Sequence, residues 1–273
     1  MHTISLNGRE LAYRDEGEGP VILWGHSYLW TPAMWDAQIA RFSSSYRCIA
    51  PALWGHGESG HVADCEAYSV DALTDDMEAL VDALGIDSFV IAGLSVGGMW
   101  GARLAHRLGD RVRGLVLSDT DLGEEPAESQ ARFLGMVGMA RQAGAFPPPL
   151  ADACLPFFFT AASIEAGKPF VAAFKDSLLE WDPGAINTVT AMGNGIFTRP
   201  DFLPQLAEIA CPSLVVVGEE DQSRPPHEAR VLADTLPNAR LELIADAAHI
   251  PAVEQPEALN QVLASFLDSV HGE

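Results

Sequence analysis

The 273-residue sequence predicts an α/β protein: a mostly parallel central sheet covered by helices on both faces, with one helical insertion. Three observations predict it. Short apolar runs alternate with amphipathic stretches, as βαβ units require when helices bury both faces of a sheet. The alternation breaks once, between about Asp121 and Pro204. Hydrophobic residues make up 48% of the chain and charged residues 20%, so it belongs with globular rather than disordered or fibrous proteins, and one large core is the default.

The apolar runs lie at residues 21–25, 47–50, 88–93, 112–118, 213–218 and 240–245, and each reads as a buried strand. Between the second and third, Val70, Leu73, Met77, Leu80, Val81 and Leu84 repeat at helical spacing and end at Gly85, where a left-handed cap is sterically easy. Residues 99–108 are helix-like, and Leu259, Val262, Leu263, Phe266 and Leu267 mark a helix near the C-terminus. Residues 121–204 carry no strand pattern but are rich in Phe, Met, Ala and Pro, including Phe133, Met136, Met139, Phe146, Phe157, Phe158, Phe159, Phe174 and Trp181. That content suits a helical cap over an apolar pocket, although helices must bury one face in any case and part of it serves the cap's own packing. The expected division is a core of residues 1–120 and 205–273 with a cap, or lid, of residues 121–204. No internal repeat stands out.

Acidic residues outnumber basic ones by 38 to 16, a formal charge of −22, and Lys168 and Lys175 are the only lysines. A nucleic-acid partner is therefore not expected, because phosphate backbones are bound through clustered Lys and Arg. The same charge repels an anionic membrane surface. It serves solubility or adaptation to salt, which the sequence does not separate. Cys48, Cys65, Cys154 and Cys211 form no Cys-x-x-Cys pair and read as buried thiols. With no signal-peptide pattern in residues 1–10 and no apolar run of about 18 residues, the expected compartment is the reducing cytoplasm.

Gly93-Leu94-Ser95-Val96-Gly97-Gly98 follows the run Phe89-Val90-Ile91-Ala92 and precedes a helix. A serine on a sharp strand-to-helix turn needs neighbours without side chains so that the chain packs closely while the hydroxyl points outward. The following helix aims its N-terminal amides at a developing oxyanion. Asp221 lies just past the apolar run that ends at Gly218, and His249 just past Leu241-Glu242-Leu243-Ile244. Ser, Asp and His thus follow in order, each at the carboxyl end of a predicted strand, where a parallel sheet builds its sites. Alone, each would read as a turn or cap residue. Together they read as Ser95 nucleophile, His249 general base and Asp221 orienting acid.

These motifs resemble the α/β-hydrolase superfamily from about Leu11 to Leu267. Gly218-Glu219-Glu220-Asp221 with Pro225-Pro226 is similar to its acid loop, and Ala247-Ala248-His249 with Glu254-Gln255-Pro256-Glu257 to its histidine loop. Trp54-Gly55-His56-Gly57-Glu58-Ser59 is similar to its Gly-His-Gly-x-Ser turn, which implies that His56 is structural; the family's preceding Asp is here Ala52. The family's His-Gly pair reads His26-Ser27, followed by Tyr28, with Trp35 downstream in register. The resemblance implies oxyanion donors at the backbone N–H groups of Tyr28 and Val96, a shift of one residue moving the first to Ser27. Within the superfamily, serine in place of that glycine, residues 93–99 and residues 115–120 resemble 3-oxoadipate enol-lactonases. Asp119, after Leu115-Val116-Leu117-Ser118, is a second candidate acid, otherwise explained as closing its strand at the lid's entry.

A serine nucleophile disfavours the family's haloalkane dehalogenases and epoxide hydrolases, which use a carboxylate there. No His-Glu-x-x-His, phosphate loop or dinucleotide glycine pattern appears, so neither metal nor cofactor is implied. The expected function is hydrolysis of a small, mainly apolar carboxylic ester or lactone through an acyl-enzyme. C–C bond hydrolysis and cofactor-free haloperoxidase or perhydrolase activity can share the same triad, and a ligand-binding receptor with a hydrolase shell is the alternative from another class. Trp30, Phe133, Met136, Phe158 and Trp181 are the expected substrate-pocket residues. Oligomeric state is left open.

Overall fold

The computed structural model describes residues 1–63 and 66–271, so Cys65 lies outside the described residues. In chain order the core begins with β1 (His2–Leu6), β2 (Arg9–Glu16), β3 (Val21–Gly25), α1 (Asp36–Phe42), β4 (Arg47–Pro51), α2 (Val70–Ala83), β5 (Phe89–Leu94), α3 (Val96–Leu108) and β6 (Val112–Ser118). Then come α4 (Ala127–Ala143), α5 (Pro148–Cys154), α6 (Ala161–Glu165), α7 (Pro169–Leu179) and α8 (Ile186–Phe197), which form the insertion between two sheet strands. The chain closes with β7 (Ser213–Gly218), α9 (Pro226–Thr235), β8 (Ala239–Ile244), α10 (Pro251–Glu254) and α11 (Pro256–His271). No helix of the described residues is long and apolar enough to cross a membrane.

The eight strands form one sheet in the order β1-β2-β4-β3-β5-β6-β7-β8. β1 and β2 are antiparallel additions at one edge; from β4 onward all neighbours are parallel. Residues 89–94 and 213–218 are buried throughout, because side chains that alternate across a doubly covered strand meet helix on either side. Gly114 shows the spacing this demands: an added Cβ would lie 3.1 Å from Phe266 and Val270 of α11, while its neighbour Leu115 faces Gly101 of α3 on the opposite side. α2 runs from the Ser69 cap, whose hydroxyl accepts the Ala72 N–H, to Gly85 at φ +64°.

The β1–β2 hairpin is not among the strands read from the sequence. β1 is mostly exposed, and in β2 the buried run is only Leu11, Ala12 and Tyr13 between Glu10 and Arg14, too short an apolar run to mark a strand. The insertion shares one hydrophobic core with the sheet, and its ends are tied to the core by buried charge. Arg199 bonds Asp121 (2.9 Å) and Glu125 (2.8 Å), and Arg224, beyond β7, also meets Glu125. Truncating one member of such a buried network strands the others, at about 3–5 kcal/mol.

Candidate active site

Ser95 joins β5 to α3 with φ 56° and ψ −119°. That backbone costs a side-chain-bearing residue roughly 1–3 kcal/mol, and its surroundings hold it there. The Ser95 N–H donates to Ser118 O (2.9 Å), and Thr120 Oγ1 donates to Ser95 O (2.7 Å). A Cβ on Gly93 would run into the Gly97 carbonyl and one on Gly97 into the Gly25 carbonyl; one on Gly98 would lie 2.7 Å from Thr120. The glycines are what let α3 press against β3 and β5.

His249 and Asp221 arrive from the loops after β8 and β7. His249 Nδ1 meets Asp221 Oδ2 at 2.8 Å, and both residues are buried. With a carboxylate on Nδ1, that nitrogen carries the proton and Nε2 keeps its lone pair. Asp221 Oδ1 accepts the N–H groups of Ser223 (2.8 Å) and Arg224 (3.0 Å), which fixes the carboxylate from behind. The histidine loop is held by Glu254, whose Oε2 accepts the Ala248 N–H (2.8 Å) while Oε1 accepts from Ser163 Oγ (2.6 Å) and the Thr160 N–H (3.1 Å) of the insertion.

In the loop after β3, the Ser27 N–H lies against Met34 Sδ (3.3 Å), the Leu29 N–H donates to His56 Nε2 (3.2 Å) and the Trp30 N–H to Ser27 O (3.1 Å). Among the described residues the Tyr28 N–H meets no acceptor, and Val96 opens α3, where a helix leaves its N–H free. Two buried histidines brace this loop. His26 donates from Nδ1 to Ser27 O (2.8 Å) and accepts the Leu53 N–H at Nε2 (2.9 Å); His56 donates from Nδ1 to Trp54 O (2.9 Å). Burial pushes His26 down to about 3 and His56 down to about 4, so both stand neutral with one nitrogen donating and one accepting.

Ser95, His249 and Tyr28 line one cavity of about 70 Å³. Asp119 stands beside it: one atom each of Asp119, Asp221 and His249 lie within 4.8 Å of one another. Asp119 directly follows β6, as expected of a residue closing that strand, and it also stands beside the pair, since β6 and β7 are neighbours and deliver two carboxyl groups to the same place. The trio has the composition of a metal site, but Asp221's oxygens accept three N–H groups and Asp119's accept from Gly218 and Ser118, so donors already point at the oxygens an ion would need.

The model of the alpha/beta hydrolase fold family matches residues 20–256. The chain belongs to the α/β-hydrolase family. It is 27% identical over 271 residues to 3-oxoadipate enol-lactonase 2 of Acinetobacter baylyi, covering 97% of this chain and 96% of that one. It is 30% identical to a non-heme haloperoxidase of Rhodococcus erythropolis, with 96% and 97% covered. Its fold is similar to that of a thermophilic esterase from Thermogutta terrifontis, with a TM-score of 0.88, 31% identity and 98% and 97% of the two chains covered.

The cavity wall of this α/β-hydrolase is mainly apolar. Of the expected pocket residues, Phe133, Met136 and Phe158 line it, with the Phe158 ring 5.7 Å from that of His249. Trp30 and Trp181 do not. Leu29 has φ +65°, and past that turn Trp30 stacks on Phe174 (4.7 Å) in a neighbouring cleft that Trp181 also lines. The expected pocket residues did not include Met99, Val137 and Phe197 of the wall, nor Ser223 and Arg224, and Phe146 and Phe157 figured only in the cap's general aromatic content. Val137 was reachable, four residues from Phe133 on one face of α4. Ser223 and Arg224 follow the acid too closely for spacing to distinguish them from its turn.

Proposed function

We propose that the protein hydrolyses small, mainly apolar carboxylic esters or lactones through an acyl-enzyme on Ser95. The observation that carries this reading is the 2.8 Å bond between His249 and Asp221 at a cavity that also holds Ser95 on its strained turn. His249 Nε2 takes the proton of Ser95 Oγ as the oxygen attacks the carbonyl, and Asp221 stabilises the imidazolium. The N–H groups of Tyr28 and Val96 receive the oxyanion; such a donor is worth about 2.7–4 kcal/mol. His249 then protonates the departing alkoxide and activates the water that releases the acid and restores Ser95. Similarity to an enol-lactonase and an esterase supports the ester and lactone class. Residues 121–204 act as the lid, the substrate is a small molecule acted on in the cytoplasm, and neither metal nor cofactor takes part.

Similarity to the haloperoxidase favours a second reading of the same intermediate, in which hydrogen peroxide rather than water attacks the acyl-enzyme and leaves as a peracid. A fluorophosphonate should label Ser95 stoichiometrically, and Ser95→Ala should lose about a millionfold in kcat on p-nitrophenyl acetate while folding normally. EDTA should leave turnover unchanged. Labelling that maps to another serine would overturn the proposal, and peracid formed faster than acetate in peroxide would select the second reading.

A further inference from the structure

β6 and β7 lie side by side in the sheet, so the residues that follow them emerge at the same edge. The Asp119 N–H donates to Val216 O (2.9 Å), and the residue stands at φ +46°, a conformation that side-chain-bearing residues adopt only when held. Its Oδ1 accepts the Gly218 N–H (2.8 Å) and its Oδ2 lies 2.6 Å from Ser118 Oγ. The residue is 1% exposed, and Asp221 and His249 are each 3% exposed. Among the described residues neither carboxyl pairs with Arg or Lys; the one ion pair of Asp221 is with His249. The guanidinium of Arg224, whose backbone bonds Asp221, is turned to Glu125 and Glu228.

Two carboxylates in a site this dry, surrounded by neutral donors, cannot both ionise near neutral pH. Asp221 is the better anion, since three N–H groups converge on it. Asp119 has one N–H and one hydroxyl. We propose that Asp119 is a positioning residue of the catalytic array: a neutral carboxylic acid that fills the space beside Asp221, anchors Gly218 and steadies the orienting carboxylate without adding a second charge. Burial, and then the charge of Asp221, hold the Asp119 carboxyl well above the usual carboxylate range. The inference rests on the reading of Ser95, His249 and Asp221 given above.

A neutral acid has a near-isostere in the amide. Asn offers a carbonyl oxygen to the Gly218 N–H and an N–H to Asp221, and it tolerates positive φ. Ala leaves the Gly218 N–H without its partner and opens a hole beside Asp221. Asp119→Asn should therefore keep kcat within about tenfold of the parent, whereas Asp119→Ala should lose about a hundredfold in kcat with KM little changed, the cost of a misplaced catalytic group. Infrared spectra at neutral pH supply a readout that packing alone does not move. The parent-minus-Asp119→Asn difference spectrum should show the C=O stretch of a protonated carboxylic acid; any acid common to both proteins, such as Glu228, cancels out of it. A spectrum in which that substitution removes no acid band overturns the proposal. So does an Asn variant as inactive as Asp221→Asn, which would make position 119 a required carboxylate, or an Ala variant as active as Asn. Should the Ala variant fail to fold, the infrared difference and the Asn kinetics decide. Fluorophosphonate labelling of the parent separates the two levels: a label away from Ser95 sinks the catalytic reading, while the infrared band still reports the protonation of Asp119.

Discussion

In the proposed triad Asp221 meets His249 through one hydrogen bond, and its amide would present an N–H where His249 Nδ1 needs an acceptor. The imidazole would then hold its proton on Nε2 and lose its basicity toward Ser95. Asp221→Asn should cost about 10⁴ in kcat on p-nitrophenyl acetate. Circular dichroism must first show the variant folded; kcat within tenfold of the parent would mean that another group orients His249. At this scale the sequence supplied Ser95, Asp221 and His249 as candidates because a parallel sheet presents its loops in chain order at one edge. It favoured Asp221 over Asp119 through the resemblance of residues 218–226 to the family's acid loop, but it did not show that the two adjacent strand ends bring both carboxyls close to His249. The family resemblance pointed to Tyr28, with Ser27 one residue away as the alternative, but spacing gave no sign that Met34, seven residues on, lies against the Ser27 N–H.

Among the elements, β3 to β8 were legible as apolar runs within about a residue, whereas the β1–β2 hairpin, whose only buried run is residues 11–13, was not. Its signal lay in the turn: Asn7 and Gly8 stand at φ 52° and 79° between paired Leu6 and Arg9, the two-residue loop that Asn-Gly favours. In the insertion, aromatic residues marked a cap, but a helix with two packed faces gives no sign of which face meets the cavity. With about 70 Å³ open to water-sized molecules, the cavity is narrow, and the size of its wall side chains limits the acyl chain it takes. Phe158 lines the cavity and packs on the rings of Trp30 and Phe174, which line the neighbouring cleft, so its removal would enlarge the cavity toward that cleft. Phe158→Ala should raise the ratio of kcat/KM for p-nitrophenyl octanoate over acetate by at least about tenfold, since each accommodated methylene is worth about 1–3 kcal/mol. A ratio unchanged from the parent would show that acyl chains lie elsewhere.

For the whole molecule, a charge of −22 is spread over a surface whose self-repulsion opposes the compact state, and protonating carboxylates relieves it. The buried histidines work in the other direction. His26 and His56 are held down to about 3 and about 4, against 6.5 for a free histidine, so below 6.5 the unfolded chain takes up protons that the fold refuses. The stability they contribute is fully present above pH 6.5 and is lost as pH falls from there toward about 4 for His56 and about 3 for His26. Asp119 and Glu228, the latter raised to about 7 by burial, shift the balance oppositely, because the fold favours their protonated forms. A comparison between variants cancels these shared contributions. Urea unfolding of the parent and of His56→Gln should show a more stable parent at pH 8 and a gap that narrows on acidification. Gln takes up no proton, so the part of the acid slope that belongs to His56 disappears with it. A gap that stays constant from pH 8 to pH 4.5 would mean that His56 is not refused its proton in the fold, and that the loop carrying Tyr28 is braced by something other than a neutral imidazole.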